Sequence, residues 1–297
     1  MKILITGSKG QLGTELQEIL AAMHSEIGAV PEVYRGADIT AVDIDELDIA
    51  NASAVEDFAD AMEAPFDLIL HCAAMTNVDA CETDPETAMR GNAIGARNMA
   101  RLAAAQGAKI MHISTDYVFS GHAEKPYTEW DLPAPETAYG KSKWLSETYV
   151  QSVCPRHFIV RTSWLYGKTG NNFVKTIHKL ASERDEISVV YDQVGNPTNA
   201  NDLAHHLLLI AATEEYGLYH CTGNGICSWH EFAEEIVRLL GLSCRVKPVT
   251  TEEFPRPAPR PAYSAMDHLM LRCTVGDAMR PWKEALAAYT PQVFPQA

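Results

Sequence analysis

The sequence predicts an α/β fold: a doubly wound parallel sheet covered by helices, with a smaller α+β lobe attached. Three observations predict it. The chain has 297 residues, of which 46% are hydrophobic, enough for one large core or two smaller ones. Short apolar runs alternate along the chain with longer stretches of helical period. The short runs are nearly continuous in apolar residues, as strands are when both faces of a parallel sheet are buried.

The first half of the chain supplies the elements of the sheet in order. Lys2–Thr6 has the pattern of a buried strand, and apolar residues then repeat every three or four positions, as on one helix face. Those residues are Leu12, Leu16, Ile19, Leu20 and Met23. Further strands are predicted at residues 39–42, 67–74, 109–115 and 157–162, and helices at 52–62, 85–106 and 139–153. Gly91 interrupts the helix at 85–106, and we expect a kink there, because a mid-helix glycine costs about 1 kcal/mol relative to alanine.

Beyond residue 163 the pattern becomes looser. Short helices are predicted at 171–182 and 229–240, between turn-rich stretches, and they indicate a second lobe. We expect a strand at 187–191 and a helix at 201–212 to return to the first domain. The predicted division is residues 1–163, joined by about 187–212, for the first domain, and residues 164–186 and 213–297 mainly for the second lobe.

Charge and cysteine usage exclude several classes of protein. The 24 Lys and Arg residues against 39 Asp and Glu give a net charge of −15, whereas a nucleic-acid-binding protein needs a basic surface. Seven scattered cysteines without a C-x-x-C pair favour reduced thiols. No apolar stretch approaches the roughly 20 residues of a membrane helix. The apolar run at the N-terminus is also too short for the hydrophobic stretch of a signal peptide. We expect a cytoplasmic protein that binds neither nucleic acid nor membranes.

A glycine-rich turn lies between the first strand and the first helix. It reads G-x-x-G-x-x-G at Gly7, Gly10 and Gly13. In such a turn the first glycine allows a tight bend, the second lets a pyrophosphate approach the backbone, and the third lets the helix pack on the strand. The N–H groups at the helix N-terminus attract the phosphates, so Gln11 and Leu12 belong to the predicted cofactor site as well. The sequence predicts dinucleotide binding in a Rossmann-like domain, against the alternative of a purely structural turn.

An acidic residue, Asp43, follows the second predicted strand. A carboxylate there would accept hydrogen bonds from the adenosine ribose and repel a 2′-phosphate, which favours NADH over NADPH. The alternative is a solvated turn carboxylate, because other aspartates crowd the same segment. Asp48 and Ile49 are expected to flank the adenine. Lys9 or Arg35 could still reach a 2′-phosphate and reverse the preference.

Tyr139 and Lys143 stand four residues apart on a predicted helix, behind Thr115 at the end of a strand. Residues at this spacing share a helix face, so the ammonium of Lys143 is expected to lower the pKa of the phenol from its ordinary value of about 10. A phenol with a lowered pKa is a usable general acid. The pattern predicts Thr115, Tyr139 and Lys143 as a catalytic set, since a chance surface pair would not follow a glycine turn in this order.

Motifs along nearly the whole chain then identify a family. They read TGSKGQLG, CAAMTNVDACE, ISTDYVFSG, AYGKSKWLSE, RTSWLYG, NNFVKT, DQVGNPT and RPAYS. With them the sequence resembles the extended short-chain dehydrogenase/reductases, and within these the subfamily of the dTDP-4-dehydrorhamnose reductases. The resemblance implies reduction of dTDP-4-dehydro-L-rhamnose, a dTDP-linked 4-keto-6-deoxy sugar, to dTDP-L-rhamnose by hydride transfer from NADH or NADPH.

The resemblance also implies roles for individual residues. It places Ala73 and Ala74 at the nicotinamide ribose, and Thr76, Val78 and Asp79 at the border of the sugar pocket. It places Trp164 beside the sugar, Asn172 and Phe173 on the nucleotide side, and Arg260 at the diphosphate or pyrimidine. Alternatives stay open for two of them: Trp164 as a core tryptophan and Arg260 as a plain loop arginine. No metal is expected, since Glu15 is present but Asn201 is uncharged.

The alternative function is that of a non-catalytic regulatory subunit. The regulatory β subunit of methionine adenosyltransferase resembles the same subfamily, so the alternative is a subunit that binds dinucleotide without turnover. The intact Thr115, Tyr139 and Lys143 set favours the enzyme. The resemblance also brings a homodimer into consideration.

Two further clusters are interpreted as structural. His205 and His206 are adjacent on a predicted helix and therefore face apart, which disfavours shared metal binding. Trp229 opens a helix behind Ser228, and Ser228 and Glu231 have capping-box spacing, so a structural role is favoured for this segment.

Overall fold

A computed structural model describes residues 1–295 of the chain. Strands and helices alternate through the first half, as the sequence predicts. The strands are β1 (Lys2–Thr6), β2 (His24–Ser25), β3 (Gly28–Ala29), β4 (Asp38–Val42), β5 (Leu68–His71), β6 (Lys109–Thr115), β7 (His157–Thr162), β8 (Leu165–Tyr166), β9 (Glu186–Val190), β10 (Val194–Gly195), β11 (Thr198–Asn199), β12 (Gly217–His220), β13 (Cys227–Ser228) and β14 (Arg245–Val249).

The helices cover the sheet and build most of the second lobe. They are α1 (Gln11–Ala22), α2 (Ala52–Asp60), α3 (Val78–Thr83), α4 (Pro85–Ala88), α5 (Gly95–Gln106), α6 (Ala138–Val153), α7 (Phe173–Glu183), α8 (Ala200–Ala211), α9 (Trp229–Leu239), α10 (Leu269–Thr274) and α11 (Trp282–Val293). Short 3₁₀ turns lie at Glu32–Tyr34 and Asp116–Val118. No helix within residues 1–295 is both long and apolar enough to cross a membrane.

A six-stranded sheet forms the centre of the first domain. Its strand order is β12-β7-β6-β5-β1-β4, and every neighbouring pair is parallel. The predicted α/β fold is therefore confirmed. The chain moves from β1 to β4 on one side and then returns to β5 on the other side. The carboxyl ends of β1 and β5 thus flank a topological switch point, where sheets of this kind bind ligands.

Two apolar layers cover this sheet, one on each face. Ile3 and Leu4 are consecutive in β1, so their side chains point to opposite faces. Ile3 belongs to a buried cluster with Leu16 and Leu207, and Leu4 to a second cluster with Met99. Each cluster is a hydrophobic core between the sheet and its helices. A third cluster, which includes Tyr166, Ile187 and Phe232, forms the core of the second lobe.

One predicted strand belongs to a different sheet. The strand expected at 187–191 is β9, which pairs in parallel with β14 and not with the six-stranded sheet. Its buried residue Ile187 packs in the core of the second lobe. The strand that joins the large sheet is β12, beside β7. The expected return of 187–191 to the first domain is therefore wrong, whereas Leu203 and Leu207 of α8 pack in that domain's core as expected.

The helix predicted at 85–106 has a local change of winding. Between α4 and α5 lies a π-helical turn, Met89–Ile94, which contains Gly91. Such single turns widen the helix locally and frequently occur near functional sites. Here the turn places the buried Asn92 so that its amide donates to Ser142 Oγ of α6 at 2.9 Å. The carbonyl oxygen of Asn92 accepts from the backbone N–H of Met75 at 2.7 Å.

Candidate active site

A cleft of about 940 Å³ lies at the carboxyl ends of the strands of the large sheet. Its walls are the glycine turn, the segments after β4, β5, β6 and β7, the first turns of α6 and the start of α9. The predicted residues that line it are Gly7, Gly10, Gln11, Leu12, Gly13, Asp43, Asp48, Ile49, Ala73, Ala74, Thr76, Val78, Thr115, Tyr139, Lys143 and Trp164. Segments far apart in sequence thus meet here because parallel strands end at one edge.

The glycine turn is too tight for side chains. Gly7 has φ +68°, and a Cβ there would lie 2.7 Å from the backbone nitrogen of Ala73. A Cβ at Gly13 would lie 2.2 Å from the carbonyl oxygen of Gly7. Gly10 caps α1 without a side-chain hydrogen bond, so the first N–H groups of α1 face the cleft with a positive partial charge. This cradle of backbone donors fits the pyrophosphate of a dinucleotide.

Asp43 lines the cleft beside the glycine turn. Its carboxylate accepts hydrogen bonds from the backbone N–H groups of Lys9 at 2.9 Å and Ile44 at 2.8 Å. The Lys9 ammonium pairs with Asp45 at 3.0 Å and with Glu46 at 2.9 Å. Arg35 pairs with Glu32 on the outer surface at 2.6 Å. The two cations considered for a 2′-phosphate are therefore both engaged with carboxylates.

The floor of the cleft carries the predicted catalytic set. Thr115 ends β6, and its hydroxyl donates to Asp116 at 2.9 Å. Tyr139 and Lys143 lie one turn apart on α6, whose N-cap Thr137 accepts from the backbone N–H of Gly140 at 2.9 Å. Both side chains are buried, with 8% of Tyr139 and 2% of Lys143 exposed. The structure thus brings all three together beside the glycine turn.

The electrostatics of this set differ from the expectation. Burial raises the pKa of Tyr139 well above its ordinary value, a nearby Asp116 adds to that rise, and the hydrogen bond with Thr115 opposes it. Burial lowers the pKa of Lys143 to about 8, against the opposing influence of Glu147 and Cys72. The prediction that Lys143 lowers the pKa of Tyr139 is wrong for this structure, because desolvation of the phenol dominates.

Two residues beside the catalytic set were not singled out from the sequence. Asp116 is fully buried, and desolvation raises its pKa to about 6. The Tyr117 ring meets the Tyr139 ring edge-on, with 5.5 Å between ring centroids. Both residues lie in the ISTDYVFSG motif, which was the available signal.

A pair of tryptophans forms one wall of the cleft. Trp164 has φ +47°, a left-handed conformation that is an outlier for a bulky residue. Its ring stacks on that of Trp229 with centroids 3.5 Å apart, and both line the cleft. The predicted capping box of Ser228 and Glu231 is confirmed, and it holds Trp229 at the first position of α9. The purely structural interpretation of this segment missed the tryptophan, because only the tertiary fold carries α9 to the cleft.

Four predicted substrate residues lie behind the residues that line the cleft. Asp79 forms an ion pair with Arg260 at 2.9 Å. Asn172 caps α7, and its amide donates to the Gln11 side chain at 3.0 Å. Phe173 packs on Trp229 with ring centroids 4.4 Å apart. Asn172 and Phe173 therefore support the glycine turn and the tryptophan wall from the second lobe, whereas Asp79 lies in α3 of the first domain.

The side chains that could have formed a metal site hydrogen-bond to other groups of the protein. Asn201 donates to the buried Glu15 carboxylate at 2.9 Å. His205 hydrogen-bonds Ser25, and His206 hydrogen-bonds the carbonyl of Asp202, with their ring planes 71° apart. Within residues 1–295 no group of three or more His, Cys, Asp or Glu side chains could hold a metal ion.

The sheet topology, the glycine turn and the buried Thr115, Tyr139 and Lys143 set together define a short-chain dehydrogenase/reductase of the extended type. The family described as RmlD substrate binding domain matches residues 1–294. The chain belongs to that family, which confirms the resemblance seen in the sequence motifs.

Solved structures and a curated relative agree with this assignment. A dTDP-4-dehydrorhamnose reductase from Clostridium acetobutylicum superposes with a TM-score of 0.92 at 46% identity, over 99% of both chains. One from Bacillus anthracis, in complex with NADP, superposes with a TM-score of 0.91 at 43% identity, over 98% of this chain and 99% of that one. The dTDP-4-dehydrorhamnose reductase of Streptomyces griseus is 38% identical, over 99% of this chain and 94% of that protein.

Proposed function

We propose that this chain reduces dTDP-4-dehydro-L-rhamnose to dTDP-L-rhamnose with NADH or NADPH. The observation that carries the proposal is the convergence of Thr115, Tyr139 and Lys143 on the floor of a cleft that begins at the glycine turn. The reductases similar to this chain along nearly its whole length support the assignment to an oxidoreductase.

The cofactor would lie along the first domain. The glycine turn and the N-terminus of α1 would hold the pyrophosphate, with Asp43, Asp48 and Ile49 at the adenosine. Ala73, Ala74 and the Lys143 ammonium would hold the nicotinamide ribose. When bound, the nicotinamide supplies the hydride that reduces the C4 ketone.

Tyr139 supplies the proton that balances the reaction. Its raised pKa keeps the phenol protonated at neutral pH, so it is a donor to the oxygen at C4 as that oxygen gains negative charge. The Thr115 hydroxyl, which donates to Asp116 in the structure, would turn its proton to the same oxygen when the substrate binds. A donor held in place before the reaction, as Tyr139 is, costs no reorganisation at the moment of reaction.

The substrate would lie along the opposite wall. Thr76, Val78 and the stacked Trp164 and Trp229 would border the sugar. Arg260, held by Asp79 and 18% exposed at its side chain, would approach the diphosphate or pyrimidine from behind this wall. Asn172 and Phe173 would act through Gln11 and Trp229, which they contact.

Turnover by the isolated protein tests the function. The purified chain is mixed with NADH or NADPH and a dTDP-4-keto-6-deoxy sugar generated in place. Loss of reduced-cofactor absorbance, with dTDP-L-rhamnose identified as product, is the expected result. Cofactor binding without oxidation by any nucleotide keto sugar would contradict the enzyme and favour the regulatory-subunit alternative.

The cofactor preference is a separate prediction. We expect kcat/KM to favour NADH by roughly tenfold, about 1.4 kcal/mol, because a 2′-phosphate would meet Asp43 while Lys9 and Arg35 are paired with carboxylates. Asp43→Asn removes the charge and keeps one of the two acceptor oxygens, so it should narrow the difference in kcat/KM between NADH and NADPH. Steady-state titration with both cofactors measures it. The Bacillus anthracis relative is in complex with NADP, whose reduced form is NADPH. A wild-type preference for NADPH would show that Lys9 or Arg35 leaves its partner to bind the 2′-phosphate.

The tryptophan wall gives a prediction about substrate affinity. In Trp229→Ala the Trp164 ring loses its stacking partner, and such pairs contribute about 0.5–1.5 kcal/mol beyond buried area. We expect the KM for the sugar nucleotide to rise by roughly 2- to 10-fold, with the Kd for NADH unchanged. Trp144→Ala, which removes a half-exposed tryptophan of α6, is the matched control and should leave KM alone. Equal KM values for Trp229→Ala and wild type would show that Trp229 does not contribute to substrate binding.

Assembly and location stay predictions. A homodimer is the assembly proposed, and light scattering coupled to size-exclusion chromatography measures it. The expected cytoplasmic location is tested by fractionation of the source cells.

A further inference from the structure

The catalytic helix carries a third buried polar side chain at the same spacing. Tyr139, Lys143 and Glu147 follow one another at intervals of four residues in α6, so they share one face of the helix. Glu147 is only 6% exposed. The guanidinium of Arg161, from β7, donates to both oxygens of the Glu147 carboxylate at 2.8 and 2.7 Å.

This ion pair is completed by further polar contacts. Ser114, the residue before Thr115, donates its hydroxyl to Glu147 at 2.5 Å. Arg161 is 2% exposed, and its guanidinium lies 4.9 Å from the centroid of the Phe119 ring and 3.4 Å from the His220 ring nitrogen. A buried ion pair is a poor way to stabilise a fold, because apolar residues of similar volume are often as good or better. Because Glu147 lies one helical turn beyond Lys143, we expect its charge to act on that lysine.

The titratable groups around Lys143 indicate how Glu147 would act on it. The titratable groups whose charges are coupled to that of Lys143 are Glu147 from its own helix, His71 and Cys72 at the end of β5, and His112 within β6. Burial, with Lys143 nearby, lowers the pKa of His71 to about 3, and that of His112 also falls, so both rings are neutral. Burial, only partly opposed by Lys143, raises the pKa of Cys72 to about 12, so its thiol is neutral as well. Of these four groups, only the Glu147 carboxylate forms an ion pair within residues 1–295.

We propose that Glu147 is a positioning residue that keeps the buried Lys143 ammonium charged and directed at the cofactor ribose, with Arg161 and Ser114 holding its carboxylate in place. The ribose contact rests on the proposed function, whereas the charge of Lys143 does not. Lys143 is protonated below its pKa of about 8 and neutral above it. Loss of the neighbouring anion makes the ammonium less stable, so the midpoint of this titration moves to lower pH.

The test measures Lys143 in the cofactor-free protein and the cofactor affinity separately. Lysine side chains are labelled with ¹³C, the Lys143 resonance is assigned by its loss in Lys143→Met, and its titration is followed by NMR. The Kd for NADH is measured from pH 6 to pH 10 by fluorescence. In Glu147→Gln we expect the Lys143 midpoint, and the pH above which NADH affinity falls, to move down by about one pH unit or more. In Glu147→Asp, which keeps the charge, both stay near the wild-type positions.

A double variant separates this effect from stability. In Glu147→Gln the Arg161 charge is left unpaired, so the thermal midpoint falls; in Glu147→Gln/Arg161→Met the unpaired charge is gone and the thermal midpoint recovers. The Lys143 midpoint should stay low in the double variant, since the anion is still missing. A wild-type Lys143 titration in either variant overturns the proposal. A shifted titration with unchanged pH dependence of NADH binding would support the role of Glu147 and overturn the contact of Lys143 with the ribose.

Discussion

Tyr139→Phe should lower kcat by about 100-fold or more while the Kd for NADH stays close to that of the wild type. The substitution keeps the buried ring and removes the one hydroxyl that can give a proton to the C4 oxygen. Proton transfer by a positioned acid contributes on the order of 100- to 10,000-fold. Steady-state kinetics with the keto sugar and fluorescence titration with NADH measure the two quantities independently.

Tyr117→Phe is the matched control for this variant. Tyr117 also lines the cleft, and its ring meets that of Tyr139, so the control removes a second phenol hydroxyl from the same surroundings. We expect its kcat to fall far less than that of Tyr139→Phe. Wild-type turnover by Tyr139→Phe, or an equal loss in both variants, would show that Tyr139 is not the proton donor.

Gly13→Ala should weaken NADH binding by roughly 10- to 100-fold. Its Cβ would lie 2.2 Å from the carbonyl oxygen of Gly7, and a backbone atom cannot move aside as a flexible side chain can. The start of α1 must therefore shift away from the turn, and the N–H groups that fit the pyrophosphate move with it. Isothermal titration with NADH measures the loss, and circular dichroism checks that the domain is folded.

Gly10→Ala gives the graded comparison in the same turn. A Cβ at Gly10 would lie 3.2 Å from the same carbonyl oxygen, a contact that a shift of a few tenths of an ångström relieves. We expect a smaller loss of affinity than in Gly13→Ala. Equal losses in the two variants, or wild-type affinity in Gly13→Ala, would mean that close packing of α1 on the turn does not decide cofactor binding.

The features that could be predicted from the sequence are local patterns that only one local structure satisfies. Ile3, Leu4 and Ile5 of β1 are three consecutive apolar residues, and a strand covered on both faces buries all three. The tight turn after it needs glycine at Gly7 and Gly13, so the turn could be placed from the residue types alone. Tyr139 and Lys143 share a face because four residues make about one helical turn.

The errors concern partners that sequence spacing does not specify. The strand near Ile187 is apolar on alternate positions and fits the edge of either sheet, and its pairing with β14 depends on where the second lobe folds. Trp229 looked like part of a helix cap, which it also is. The pKa of Tyr139 depends on how deeply the phenol is buried, and no spacing along α6 contains that information.

The sequence by itself determined the α/β class, the glycine turn, the candidate catalytic set and the family, because each depends on residues that are close in the chain or in a fixed order along it. Only the tertiary structure decided that Trp164 stacks on Trp229, that Asp79 pairs with Arg260, and that Arg161 pairs with Glu147. Contacts of this kind join segments tens of residues apart, or a helix to a strand beneath it. The packing of whole helices and strands decides the geometry and burial of these contacts. Burial and contact geometry in turn decide the pKa values of the groups in the site.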